Sequence, residues 1–274
     1  MYKISNFRDN DDVKVIDQSG PFQVIEYQRD LSITPEDAQR AYFCSQMNVR
    51  KRQVICELAK GNVTLQSGAM QWMVGNVSAT TGIKGPGDFI SKAVRGKMTG
   101  ESTIKPEYTG DGTMVLEPTY KHIILLDVDE WGNSIVLDDG LFLACESTLK
   151  QKAVRRKTFS SAFAGGEGFF NLGLHGSGVV CIESDCPREE LVEITLEDDV
   201  IKIDGNLAIA WSGSLDFTVE RAGKSLLGSA ASGEGLVNVY RGTGKVLIAP
   251  VGAQAMQPKQ EIEKEPVIVE DDEY

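Results

Sequence analysis

A short glycine-containing pattern occurs three times in this 274-residue chain at nearly constant spacing. Each copy has a Gly-Glu pair followed by a Gly-x-Gly triplet, whose first glycine lies eight or nine residues after the glutamate. The copies are Gly100-Glu101 with Gly110-Asp111-Gly112, Gly166-Glu167 with Gly176-Ser177-Gly178, and Gly233-Glu234 with Gly242-Thr243-Gly244. The glutamates are 66 and 67 residues apart. Recurrence at a fixed period indicates a fold built from three repeated units.

Apolar and polar residues alternate within each copy, as in Val200 to Ile203 and Leu236 to Tyr240. A period of two is typical of half-buried β-strands, and the glycines suit tight hairpin connections. We therefore predict an all-β fold of three internal antiparallel β repeats in a pseudo-threefold arrangement. The predicted repeats are residues 52–119, 120–185 and 186–251.

Residues 1–51 precede the first repeat and are predicted to form a strand and a helix that lead into the core. A capping residue, a proline and two acids at Thr34-Pro35-Glu36-Asp37 predict a helix that ends near Val49. A shorter helical turn is predicted at Asp88 to Arg95, inside a glycine-rich loop.

Residues 252–274 form an acidic tail whose composition is typical of a flexible segment. Val267-Ile268-Val269 nevertheless favours a strand, and the basic stretch from Lys150 to Lys157 offers an opposite charge. We therefore predict that the tail from Glu261 to Tyr274 is held against the folded body or a neighbouring subunit. The alternative is a mobile, solvated end.

Charge and composition exclude several classes of protein. The chain has 28 Lys and Arg against 40 Asp and Glu, and a net charge of −12 repels the phosphate backbone of nucleic acids. Apolar runs are too short to span a membrane, and the N-terminal residues lack the apolar run of a secretory signal. The five scattered cysteines contain no CxxC pair, which favours reduced thiols. We predict a soluble, cytoplasmic protein that binds no nucleic acid and is not an integral membrane protein.

Few residues in the sequence indicate a catalytic, metal-binding or ligand-binding role. His122 and His175 are the two histidines, so no HxH or HExxH pair is available for a metal. Glu101, Glu167 and Glu234 could converge on a ligand if the repeats surround an axis, and His175 could face the same pocket. Structural roles at turns are the favoured interpretation for all four residues. We predict that the chain is not an enzyme and has no catalytic, cofactor-binding or metal-binding residues.

Longer stretches of sequence resemble a known family. They are Gly68-Ala69-Met70-Gln71-Trp72-Met73, Gly165-Gly166-Glu167-Gly168-Phe169-Phe170, Gly233-Glu234-Gly235-Leu236-Val237, and the closing segment from Gly242 to Pro250. Over about residues 22–251 the chain resembles the mitochondrial-biogenesis family named for altered inheritance of mitochondria. The resemblance implies a fold like that of the tryptophan RNA-binding attenuation protein, with three similar β units in one chain. It brings no catalytic or cofactor-binding residues.

Two functions follow as hypotheses. The first is a non-enzymatic scaffold or binding module that binds a protein partner or forms homo-oligomers through exposed strand edges. The second is a small-molecule-binding protein or enzyme with its pocket between the repeats. RNA binding, by analogy with the attenuation protein, would need a basic face that this acidic chain lacks.

Overall fold

The computed structural model describes residues 2–81, 105–155, 157–158, 170–221 and 236–250. These ranges fold mostly into β-strands and contain one α-helix, α1 (Ala38–Gln46). The strands are β1 (Val13–Ser19), β2 (Phe22–Tyr27), β3 (Arg52–Glu57), β4 (Val63–Leu65), β5 (Met70–Thr80), β6 (Glu107–Leu116), β7 (His122–Asp127), β8 (Ser134–Leu137), β9 (Phe142–Glu146), β10 (Lys150–Arg155), β11 (Lys157–Thr158), β12 (Phe170–His175), β13 (Val179–Ser184), β14 (Val192–Asp204), β15 (Ala208–Ser212), β16 (Asp216–Arg221) and β17 (Leu236–Ile248). The predicted all-β fold with an N-terminal helix is confirmed.

The described strands form two sheets. One has the order β1-β2-β3-β6-β4-β9-β13-β7, with β5 paired to β6. The other has the order β10-β12-β8-β15-β17-β16-β11, with β14 paired to β17. Because β10 and β11 are separated by one residue, the two ends of the second sheet adjoin in the chain, and this sheet is nearly closed, like a barrel. Neighbouring strands are antiparallel except for β11 and β16.

Strand pairing follows the same register around each Gly-x-Gly triplet. Each predicted repeat is called a module below. The residue two positions before the triplet pairs with an apolar residue of an earlier strand in the same module. The residue two positions after the triplet pairs with a third strand of that module. The first set of pairs is Val63 with Tyr108, Ile135 with Leu174 and Ile201 with Tyr240. The second set is Met73 with Met114, Cys145 with Val180 and Trp211 with Val246. Superposition of whole modules stays a prediction, because Glu101, Glu167 and Glu234 lie outside the described residues.

Glycine is required at these triplets by the backbone. Gly110, Gly176 and Gly242 have φ of +121°, +119° and +115°, values that side chains with a β-carbon rarely adopt. At Gly110 a β-carbon would also lie 2.1 Å from the backbone oxygen of Asn76 on the paired strand β5. Gly110 and Gly242 therefore lie at points where the continuous strands β6 and β17 remain paired, and Gly176 lies in the connection between β12 and β13.

Apolar side chains fill the space enclosed by the sheets. Trp131 and Trp211, at 3% and 2% exposure, are buried in two different clusters. Trp211 packs against Phe217 and Tyr240, with ring centroids 5.3 and 5.2 Å away. Several such clusters, and not one extended core, support the two sheets.

Helix α1 is shorter than the predicted helix from Thr34 to Val49. The backbone N–H groups of Asp37 and Ala38 bond to the carbonyls of Thr34 and Pro35, so the first residues form a tight turn and not α-helix. The helix ends before Asn48, whose φ is +60°. The turn predicted at 88–95 and the tail at 261–274 lie outside the described residues.

Within the described ranges, no helix is long and apolar enough to cross a membrane.

Candidate functional site

The residues first considered as ligand-facing are not brought together in the described structure. Glu101, Glu167 and Glu234 lie outside it. His175 is half-buried at the end of β12, where its Nδ1 lies 2.9 Å from the hydroxyl of Ser134. Burial, together with the charge of Lys152, lowers the pKa of His175, which favours a neutral ring. Among described residues no carboxylate is hydrogen-bonded to its other nitrogen, so the contact is a Ser–His pair without an orienting acid.

Two cavities involve the N-terminal part of the chain, and His175 lines neither. The smaller, about 240 Å³, is lined by Tyr2, Ile4, Phe7, Arg8, Glu57 and Thr113. Its polar groups bind one another, because Arg8 forms an ion pair with Glu57 and Thr113 donates to the same carboxylate. Within the described ranges no group of three or more His, Cys, Asp and Glu residues could hold a metal ion.

The first surface of interest consists of strand edges. Between the first two predicted modules, β4 pairs with β9, and Thr64 lies opposite Cys145. Between the second and third, β8 pairs with β15, and Val136 lies opposite Trp211. The two junctions therefore use the same kind of strand and the same register.

The corresponding strands at the two ends of the series lack this partner. By register, Lys202 of β14 corresponds to Thr64 and Val136, and Met73 of β5 corresponds to Cys145 and Trp211. In the described part of the chain, β14 pairs with β17 alone and β5 with β6 alone. Among the described strands, the outer backbone edges of 72–74 and 201–203 therefore have no partner.

Exposure agrees with this arrangement. The side chain of Met73 is 43% exposed, although Cys145 and Trp211 are 0% and 2% exposed. Ile201 is half-exposed, whereas the corresponding Val63 and Ile135 are fully buried. Apolar side chains that are covered at both internal junctions are thus uncovered at the two ends.

The second surface is a groove of about 540 Å³ beside α1. It is formed by the end of β2, the loop that follows, α1, the start of β3 and Tyr120. No residue of α1 is buried. Apolar side chains that line the groove, Leu31, Tyr42, Val49 and Tyr120, are 73%, 61%, 43% and 57% exposed. The helix therefore contributes little to the core and presents apolar surface to solvent.

A buried ionic network fixes the helix in place. Glu26 accepts hydrogen bonds from Arg50 at 2.9 Å and forms an ion pair with Arg52 at 2.7 Å. Arg50 also donates to the carbonyl of Ser45, and Arg52 donates to the carbonyl and side-chain oxygens of Asn48, at the C-terminal end of α1. Cations at this end also interact favourably with the helix dipole.

The network shifts the titration of its members. Burial raises the pKa of Glu26, but the hydrogen bond from Arg50 and the charge of Arg52 outweigh it and hold the pKa below its ordinary value. Burial, reinforced by Arg52, lowers the pKa of the neighbouring His122, against the opposing effect of Glu189 and Glu190. One carboxylate thus faces two guanidinium groups, so these three side chains together carry one positive charge. One of the two arginines, Arg50, lines the groove.

The sequence analysis predicted association through exposed strand edges without identifying which edges, and it did not predict the groove. The open edges had a signal in the sequence, since aligning the three repeats places Lys202 and Met73 at positions that other repeats pair. The groove had none, because it depends on contacts between segments distant in the chain.

The fold is that of a β protein with repeated strand registers, and the comparison with known proteins gives its family. The chain belongs to the family described as mitochondrial biogenesis AIM24, whose profile matches residues 46–251, and the resemblance noted in the sequence is confirmed. The match begins at the end of α1 and stops before the acidic tail.

Two relatives extend this result. An uncharacterised protein of Streptococcus pyogenes serotype M6 is 31% identical over 195 residues, covering 69% of this chain and 76% of that protein. The crystal structure of a Streptococcus pyogenes protein matches with a TM-score of 0.55 and 28% identity, covering 76% of this chain and 92% of the other.

Proposed function

We propose that this chain is a non-enzymatic scaffold that self-associates head to tail. In the proposed contact, the edge of β14 in one copy pairs with the edge of β5 in the next. One observation carries the proposal: two junctions inside the chain use this strand pair, and the strands that would make a third have no partner at these edges within the described residues. Unpaired strand edges are templates for pairing with another chain.

The internal junctions predict the register between copies. Thr64 lies opposite Cys145, and Val136 lies opposite Trp211. The same antiparallel register places Lys202 of one copy opposite Met73 of its neighbour. The exposed surface of Met73 would then be covered, which adds hydrophobic stabilisation to the backbone hydrogen bonds.

Such a contact is heterologous, since two different surfaces meet. Repetition of a heterologous contact produces a ring when the rotation closes and a filament when it does not. The proposal treats the three modules as equivalent β units and places the protein in the cytoplasm. The five cysteines support that location because all are free and disulfides are rare in the cytosol.

Disulfide trapping between two singly substituted copies tests the proposed contact. Copies with Met73→Cys are mixed with copies with Lys202→Cys, both in a background of Cys44→Ser and Cys186→Ser, which removes the two partly exposed native thiols. Residues directly opposite in an antiparallel pair have α-carbons close enough for a disulfide. We expect a disulfide-linked heterodimer in the mixture and little linkage in either variant alone.

The control replaces Lys202→Cys by Val192→Cys, which is also on β14 and 46% exposed but lies outside the proposed edge. This pair should remain unlinked. Equal linkage in the control and the test, or none in the test, would contradict the proposal. So would a double variant that forms its disulfide only within one chain, because the chain would then close on itself.

A further inference from the structure

The groove beside α1 and the acidic tail have complementary properties. Four cationic side chains line the groove, Arg29, Arg40, Arg50 and Lys51, against two acidic ones, Asp30 and Asp37. Three of the cations have a carboxylate partner, respectively Asp12, Glu26 and Asp30. Arg40 has no ion pair with any described residue. With these partners counted, the charges in and around the groove nearly balance, so on a chain of net charge −12 the groove is less acidic than the chain as a whole.

The tail carries the opposite charge together with apolar residues. Residues 261–274 contain seven acids and one lysine. Val267-Ile268-Val269 is flanked by Glu265-Pro266 on one side and by Glu270, Asp271, Asp272 and Glu273 on the other. An apolar segment between acids matches a groove that has exposed Leu31, Tyr42 and Val49 and cationic sides.

The described chain ends on the side of the molecule that bears the groove. Ile248, the last residue of β17, pairs with Val192, which follows Glu189 and Glu190 closely in the chain. Tyr120 lines the groove, and the next residue, Lys121, forms an ion pair at 3.8 Å with Asp185, which precedes Val192 closely in the chain. From Pro250 to Val267 there are 17 residues. An extended segment of that length spans about 55 Å, enough to cross a domain of this size.

The basic stretch from Lys150 to Lys157, first considered as the tail's counterpart, is already part of a sheet. β10 pairs along its length with β12, and β11 pairs with β16. Its strands therefore take part in closing the second sheet, whereas the groove beside α1 is open.

We propose that the groove beside α1 binds the chain's own C-terminal tail, with Val267-Ile268-Val269 against Leu31, Tyr42 and Val49 and the flanking acids facing Arg40 and Arg50. The site and its occupant are independent of the strand edges used in self-association. The tail then covers apolar surface that α1 otherwise exposes to solvent.

A thiol in the groove provides a direct measure of occupancy. Cys44 lines the groove and is partly exposed, and Cys186 is partly exposed outside it. Alkylation of both thiols by iodoacetamide is followed by peptide mass spectrometry in the full chain and in the full-chain variant Val267→Asp, Ile268→Asp, Val269→Asp. We expect Cys44 to react about fivefold faster in the variant, corresponding to a tail bound in about four of five molecules. The rate at Cys186 should not change.

Further alkylation experiments identify which segment occupies the groove. Arg40→Glu in the full chain should also accelerate alkylation of Cys44, because it adds repulsion to the acidic tail. Protection of Cys44 should be independent of protein concentration. Protection that appears only at high concentration would assign the groove to the tail of another copy and overturn the proposal, and so would equal Cys44 rates in the parent and the triple variant. Alkylation of buried Cys56 and Cys145 reports unfolding, so an altered fold would be recognised.

Discussion

At the scale of single residues, Glu26 is a buried carboxylate that is held by two arginines. It is 6% exposed and lies in a strand with both faces covered, and its carboxylate is shared by Arg50 and Arg52. Arg52 is itself 2% exposed. Removal of one partner leaves a buried charge without compensation, which is far more costly than the loss of an exposed ion pair.

Glu26→Gln is therefore expected to lower the free energy of unfolding at pH 7 by about 3 kcal/mol. The pKa of Glu26 is depressed in the folded state, so the stabilisation is present above its ordinary value of 4.5 and is lost as the pH falls through the folded pKa. The difference between variant and parent should consequently shrink in acid. Urea unfolding at pH 7 and below pH 4.5 measures it.

Glu117→Gln is the matched control, because Glu117 is exposed. Its cost at pH 7 should be small, because an exposed carboxylate loses little on substitution. An equal cost for both variants at pH 7 would show that the network around Glu26 adds no stability.

The backbone geometry of the repeated triplets leads to a second prediction at the scale of single residues. Gly110 and Gly140 both have positive φ, +121° and +78°. A β-carbon would meet the backbone oxygen of Asn76 at 2.1 Å at Gly110, and nothing within 4 Å at Gly140. Gly140→Ala should cost about 1 kcal/mol of backbone strain and Gly110→Ala at least about 3 kcal/mol, measured by urea unfolding. Similar costs would mean that close packing against β5 is unimportant.

At the scale of elements, α1 is held by its C-terminal end and not by burial of a face. No α1 residue is buried, and Phe43 is 58% exposed. The contrast with Phe142, at 4% exposure in the core cluster of Trp131, allows a matched comparison.

Phe43→Ala should change the free energy of unfolding by less than about 0.5 kcal/mol, because little apolar surface is lost from the core. Phe142→Ala should cost about 3 to 5 kcal/mol through the lost burial and the cavity that remains. Thermal or urea unfolding of the two variants in parallel provides the measurement. A large cost at Phe43 would indicate that the helix packs against a surface that remains covered in solution.

The strands were more predictable from sequence than the surfaces. Alternating residues and the Gly-x-Gly triplets depend on local backbone rules, so the all-β fold and the strands around Gly110, Gly176 and Gly242 could be identified. Glu26 could not be recognised as buried, because its burial depends on Arg50 and Arg52 of a paired segment and no pattern within Phe22–Tyr27 indicates those partners. The α1 groove depends on Arg50 and Tyr120 meeting across the fold, and no local pattern encodes such a contact.

At the scale of the whole molecule, the chain can be viewed as a linear series of modules joined by one type of strand pair. Each internal junction pairs one edge of each neighbouring module, so a series of three leaves one edge at each end without a partner among the described strands. An unpaired edge at the end of the series can gain a partner strand in two ways. The strand can come from another copy of the chain or from a further repeat within the same chain. The proposed heterologous association uses the same strand pair that joins β4 to β9 and β8 to β15 within the chain.

The equivalence of the modules is itself testable. Residues 52–119, 120–185 and 186–251 should superimpose in an experimental structure of this chain, because the registers around their triplets are shared. Glu101, Glu167 and Glu234 precede those triplets by nine, nine and eight residues and should occupy corresponding positions. Segments displaced by half a period serve as the control and should superimpose poorly. If the three glutamates occupied unrelated places, the shared registers would be confined to the strands, and the ends of the series would no longer define matching edges for the next copy.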